Sequence, residues 1–148
     1  MGAPLRRLLS RAHLAALVLV TFVGVRLRVH RTTLPVLTAR LSTPPRRARS
    51  PHRPARLSRA VDRTLRLGKR QPTCLVNALV LFRLLRAQGD PAELVVGLPA
   101  HPASKDAHAW VELAHRDLGP APGRSGHLEL ARYPMVSARL TPEQEAGR

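Results

Sequence analysis

The longest unbroken apolar pattern in the second half of the chain runs through Thr73-Cys-Leu-Val-Asn-Ala-Leu-Val-Leu-Phe-Arg-Leu-Leu-Arg-Ala-Gln-Gly89. Leu75, Val76, Ala78 to Phe82, Leu84 and Leu85 cover almost every side of a helical wheel, so this segment predicts a helix buried on most of its circumference. Pro72 and Thr73 form its entry, with Thr73 as N-cap and Cys74 as the first helical residue. Gly89 and Pro91 end it. The pattern then changes period. Ala92 to Leu98 reads as a strand and His101 to Lys105 as a loop. Ala107 to Ala114 reads as a second strand, with His108, Trp110 and Glu112 on one face and Ala109, Val111 and Leu113 on the other. Gly119 to Gly126 is a loop signal. Leu128 to Tyr133 and Met135 to Leu140 are candidate further strands.

Upstream, Leu57, Val61 and Leu65 mark one face of a short helix, with Ser58 as a candidate N-cap and Gly68 as its end. Leu5, Leu8, Leu9 and Ala12 follow an amphipathic spacing beside Arg6, Arg7 and Arg11. An uncharged run from Leu14 to Val25 follows. Its 12 residues fall short of the roughly 20 that a spanning helix needs. Arg26, Arg28 and Arg31 stand where a secretory cleavage site would place small neutral residues, and no Ala-x-Ala is present. A helix that packs on the domain or lies on a membrane surface is the expectation.

These elements predict an α+β fold, with the cysteine-bearing helix packed on a small antiparallel sheet. The division expected is a basic, apolar helical segment over 1–42, a Pro/Arg-rich linker over 43–56, a domain over 57–140 and a tail over 141–148. Charge sharpens that division. The first 70 residues hold 17 of the 25 Lys and Arg and one acid, Asp62, and so carry the whole formal net charge of +16. The rest is neutral. A basic half suits an anionic membrane surface, an acidic partner or a nucleic acid. No aromatic residues are interleaved with the arginines to stack on bases, which argues against nucleic acid. One cysteine excludes an internal disulfide and fits a reducing, cytoplasmic setting, peripheral to a membrane where the apolar run meets one. A single Cys with scattered His has no metal-ligand spacing, and no cofactor is expected.

The chemistry is carried by Cys74 and His108. A thiolate is the attacking form of cysteine, and both a helix N-terminus and a neighbouring imidazolium favour it. The free N–H groups of the same turn suit an oxyanion. A lone Cys in a helix is as often a buried packing residue. His101, His115 and His127 are rivals to His108. A third residue should orient the imidazole. Glu112 shares the His108 face but lies about 13 Å along the strand. Asp117 is the first candidate and Glu129 the second.

The blocks Thr73 to Leu85, Gly89 to Gly97 and Ala107-His-Ala-Trp-Val-Glu112, with the closing Ala131 to Leu140, together resemble the leader peptidase of lasso-peptide biosynthesis, over about residues 57–140. The resemblance implies a transglutaminase-like cysteine protease with Cys74 as nucleophile and His108 as base. It implies as partners a precursor peptide with a leader, a separate leader-binding protein and an ATP-dependent cyclase. It also implies an Asp about a dozen residues beyond the histidine, where this chain has Gly119-Pro120. Asp117 lies three residues early. That departure keeps open an alternative: a catalytically weak or inactive transglutaminase-like module that binds peptide or scaffolds a complex.

Overall fold

The computed structural model describes residues 3–43, 52–67, 72–101, 107–119 and 124–134. Most of the expected linker, the candidate strand from Met135 to Leu140, the tail, Gly68 and Asp106 lie outside those residues. Four helices precede four strands: α1 (Ala3–Val29), α2 (Leu34–Ser42), α3 (Pro54–Arg66), α4 (Cys74–Ala87), β1 (Glu93–Pro99), β2 (His108–Leu113), β3 (Arg116–Asp117) and β4 (His127–Tyr133). The strands form one antiparallel sheet in the order β3-β2-β1-β4. The mixed α+β architecture expected from the pattern is the one observed.

Helix α4 is the centre. It packs against α1, α2 and α3 and against β2 and β1. Eight of its residues, from Val76 to Leu85, are buried, with Leu79, Val80, Phe82 and Leu85 at 0% exposure. Coverage from several sides is the physical reason that the segment has no polar stripe. Its C-terminus closes as a Schellman motif: Asp90 N–H donates to Leu85 O, and Gly89 N–H donates to Arg86 O. Gly89 sits at φ +95°, where a side chain would be strained.

The two faces of the sheet differ. Leu94 pairs with Val111, and Val96 with Ala109, on the face that joins the core. Glu93, Val95 and Gly97 pair with Glu112, Trp110 and His108 on the other. A bulge falls between Val96 and Gly97 where β1 meets β4. A Cβ on Gly97 would come within 2.7 Å of Leu128 O and 2.8 Å of the Trp110 ring. Only glycine lets the indole lie flat against the strand there.

Several expectations are corrected in detail. The two N-terminal apolar segments form one continuous helix, α1, with Leu14, Val18 and Val25 buried in the same core as α4. By length and composition, its stretch Leu8–Val29 is enough to cross a membrane. The segment over 1–42 therefore does not stand apart from the domain. It includes α2, whose C-terminal carbonyls, Leu41 O and Thr43 O, accept from Arg83 of α4. Ser58 is not an N-cap. Arg53 holds that position with Pro54 inside the first turn, and Ser58 Oγ instead donates to Leu118 O across the cleft. The second strand ends at Leu113 rather than Ala114. Ala114 and His115 make the β2–β3 turn at φ 50° and 60°, both left-handed, as a tight two-residue hairpin requires. His115 is thus a turn residue and not part of the strand.

Candidate active site

The N-terminus of α4 opens into a cleft of about 170 Å³. Helix α3 supplies Ser58, Val61 and Asp62, α4 supplies Cys74, Asn77, Ala78 and Leu81, and β2 supplies His108 to Val111, with Gly119 closing one side. The sequence folds this way for local reasons. Pro72 cannot continue a helix backwards, and Thr73 is extended at ψ 156° with Oγ1 accepting from Val76 N–H at 3.5 Å. That leaves the N–H groups of the first turn at the cleft. Cys74 is half-buried, and its Sγ lies 3.8 Å from Ala107 O, the residue just before His108. Cys74 and His108, singled out in the sequence, thus line one cavity.

The setting of His108 is unusual. Its ring stacks on Trp110, with centroids 6.2 Å apart and planes 18° from parallel, and it lies 5.1 Å from the ring of His127. The Trp110 indole is itself held. Its Nε1–H donates to Glu112 Oε1 at 2.9 Å, and Glu112 is 1% exposed. Arg132 Nη1 donates to Glu112 at 3.0 Å and to Glu93 at 2.7 Å, while its Nη2 reaches Glu129 at 2.7 Å. Burial pushes the Glu112 carboxyl up, but the hydrogen bonds from Trp110 and Arg132 outweigh it and hold Glu112 below the usual carboxylate value. The path from Arg132 through Glu112 to Trp110 ends under the imidazole.

No described carboxylate is hydrogen-bonded to the His108 ring. Asp117 pairs with Glu112 across β2 and β3, which puts it on the His108 face. Its two oxygens are occupied, however. Oδ1 accepts from Gly119 N–H and Oδ2 from Arg124 N–H, each at 2.8 Å. Asp117 therefore acts on His108 through charge. Glu129, the second candidate, is engaged by Arg132. Burial lowers the His108 pKa most, the His127 charge lowers it further, and the Asp117 charge opposes both. The net direction is down. His101 stands in the loop after β1.

Four residues near the site carry little or no signal in the sequence. Trp110 and Glu112 were placed on the His108 face by alternation alone, and that was the available signal. His127 appeared only as a rival to His108, and the structure puts it beside His108. Its Nδ1 lies 3.0 Å from Ser125 O. Asn77, one turn after Cys74, has no sequence signal beyond being polar in an apolar helix. Its Oδ1 is buried without a hydrogen-bond partner. Such an atom in a cleft wall is open to a ligand's N–H. Among the described residues, no group of three or more His, Cys, Asp or Glu could hold a metal ion.

The chain matches no curated protein and no solved structure. Residues 16–129 match the family model described as the transglutaminase-like superfamily core, a span that begins inside α1 and ends inside β4. That superfamily includes cysteine proteases and transglutaminases. A cysteine at the start of a buried helix, a histidine at the start of the facing strand and a match over most of the chain agree: the protein belongs to the transglutaminase-like superfamily.

Proposed function

We propose that the protein is a cysteine peptidase that removes the leader from a ribosomally made precursor peptide during lasso-peptide maturation. The observation that carries this reading is the shared cleft: Cys74 at the helix end and His108 on the strand line one cavity. His108 takes the thiol proton, and Cys74 Sγ attacks the scissile carbonyl. The first-turn N–H groups face the developing oxyanion. The C–N bond breaks as His108 returns the proton to the leaving amine, giving an acyl-enzyme. Water then adds to the thioester, and the carboxylic acid leaves with the thiol restored. Asn77 Oδ1 accepts a backbone N–H of the bound peptide. The imidazole is oriented by the Trp110 shelf and biased by the Asp117 charge, in place of a hydrogen-bonded aspartate. A separate leader-binding protein presents the precursor, and an ATP-dependent cyclase consumes the product. These partner roles rest on the resemblance of the three sequence blocks.

Mass spectrometry of a candidate precursor incubated with the protein and its leader-binding partner tests the reading. Cys74→Ala should lower cleavage by more than about a thousandfold and leave the melting temperature within about 2 °C. Undiminished cleavage by that variant overturns the nucleophile. If the wild type binds precursor but never cleaves it, the alternative of an inactive peptide-binding module stands; the observation that favours it is that no carboxylate among the described residues is hydrogen-bonded to the His108 ring.

A further inference from the structure

Helix α1 has two apolar faces. One is the core face, with Leu14 at 4% exposure, Val18 at 0% and Val25 at 1%. The other carries Leu5, Leu9, Leu19, Val20, Val23 and Leu27, all between 44% and 72% exposed. At 100° per residue these six fall in one stripe on the side of the helix opposite the buried three. The stripe runs about 33 Å along the axis. Scattered exposed leucines are ordinary, but a continuous aliphatic strip of this length needs an occupant.

The surroundings say which occupant. Exposed arginines stand near both ends of the stripe, Arg6 and Arg11 at one and Arg26 and Arg28 at the other. On the Leu14 side of the same helix, a groove of about 730 Å³ between α1 and α3 is lined by Arg6, Arg11, Arg56, Arg59 and Arg63, so the basic character extends around the first half of α1. The chain has 13 arginines and no acid before Asp62. The occupant is therefore apolar in its interior and negative at its surface. The stripe holds no aromatic residue of the kind that anchors protein interfaces, whereas bare aliphatic side chains bordered by arginine suit hydrocarbon beneath anionic headgroups.

We infer that α1 lies in the plane of an anionic lipid bilayer, with the stripe in the acyl boundary and the arginines at the headgroups. Spanning would require α1 to leave α4 and would strip the cover from Val18 and Val25. In-plane binding keeps the core intact. It also keeps the cleft open, because no residue of α1 lines it. The inference is independent of the peptidase reading.

Flotation of the full-length protein with lipid vesicles tests it. Binding to phosphatidylcholine vesicles containing phosphatidylglycerol should exceed binding to phosphatidylcholine alone by more than about tenfold. The triple variant Leu19→Gln, Val20→Gln, Val23→Gln changes only exposed positions. It should keep its circular dichroism and melting temperature while losing more than about tenfold in vesicle binding. Alkaline carbonate should release the bound wild type. No binding to anionic vesicles, equal binding to neutral ones, undiminished binding by the triple variant, or carbonate-resistant insertion would each overturn the inference.

Discussion

The two ends of helix α4 are built to different standards. Toward the C-terminus the Arg83 and Gln88 side chains both meet partners. Arg83 holds the carbonyls that end α2, and Gln88 exchanges two hydrogen bonds with the backbone of His52 at 2.9 and 2.7 Å. Phe82 and Leu85 are fully buried between. At the N-terminus the cap bond is long, the thiol is half-buried beside a carbonyl, and Asn77 Oδ1 has no partner. A buried polar atom left unpaired costs about 1–3 kcal/mol. Arg83 and Gln88 tie one end to the fold, while the unpaired Asn77 Oδ1 leaves the other end for a ligand. Substitutions should separate the two ends.

The largest effect on stability belongs to the closed end. Phe82→Ala should cost about 3–5 kcal/mol in chemical denaturation. At the open end, Asn77→Ala should leave the denaturation midpoint nearly unchanged or slightly raised. It should raise KM for a cleaved peptide by about two- to tenfold, the worth of one neutral hydrogen bond. A large stability loss from Asn77→Ala would break the distinction.

The smallest effect is the most diagnostic of how His108 is set. Its lowered pKa places the acidic limb of the activity profile below the ordinary histidine value of 6.5. His127→Asn removes a cause that lowers it, so the limb should move to higher pH. Asp117→Asn removes the cause that raises it, so the limb should move to lower pH. Shifts in opposite directions would confirm that both residues act by charge. The same sign applies to stability. A histidine whose pKa is lowered on folding resists protonation, so it withdraws stability as pH falls below about 6.5 and has no effect well above it.

The site was partly legible in the sequence for reasons that follow from its construction. Cys74 and His108 sit at the starts of their elements, where breakers and period changes are visible: Pro72-Thr73 before the helix, and a switch to alternation before the strand. Gly89 and Pro91 marked the helix end because only a left-handed residue fits there. What stayed hidden depends on contacts between distant residues. The stacking of His108 on Trp110 and the hold of Arg132 on Glu112 need the register of β1, β2 and β4, which no local pattern fixes. The need for glycine at position 97 comes from the Trp110 indole and Leu128 O packed against it, contacts that no local pattern shows. Asp117 was found on the right face, yet its oxygens are spent on the loop that follows. Helix α1 packs on the domain as expected, but its full length was hidden because the central charge-free run is short, while the helix around it is long enough to show one face to the core and another to solvent.

The central claim is that Cys74 and His108 work as one unit. Alkylation of the native protein by iodoacetamide at neutral pH, followed by intact mass, tests it without a known substrate. The account predicts a single adduct on Cys74, formed more than about tenfold more slowly in His108→Ala. Equal rates in the two proteins, or labelling only after unfolding, would contradict it.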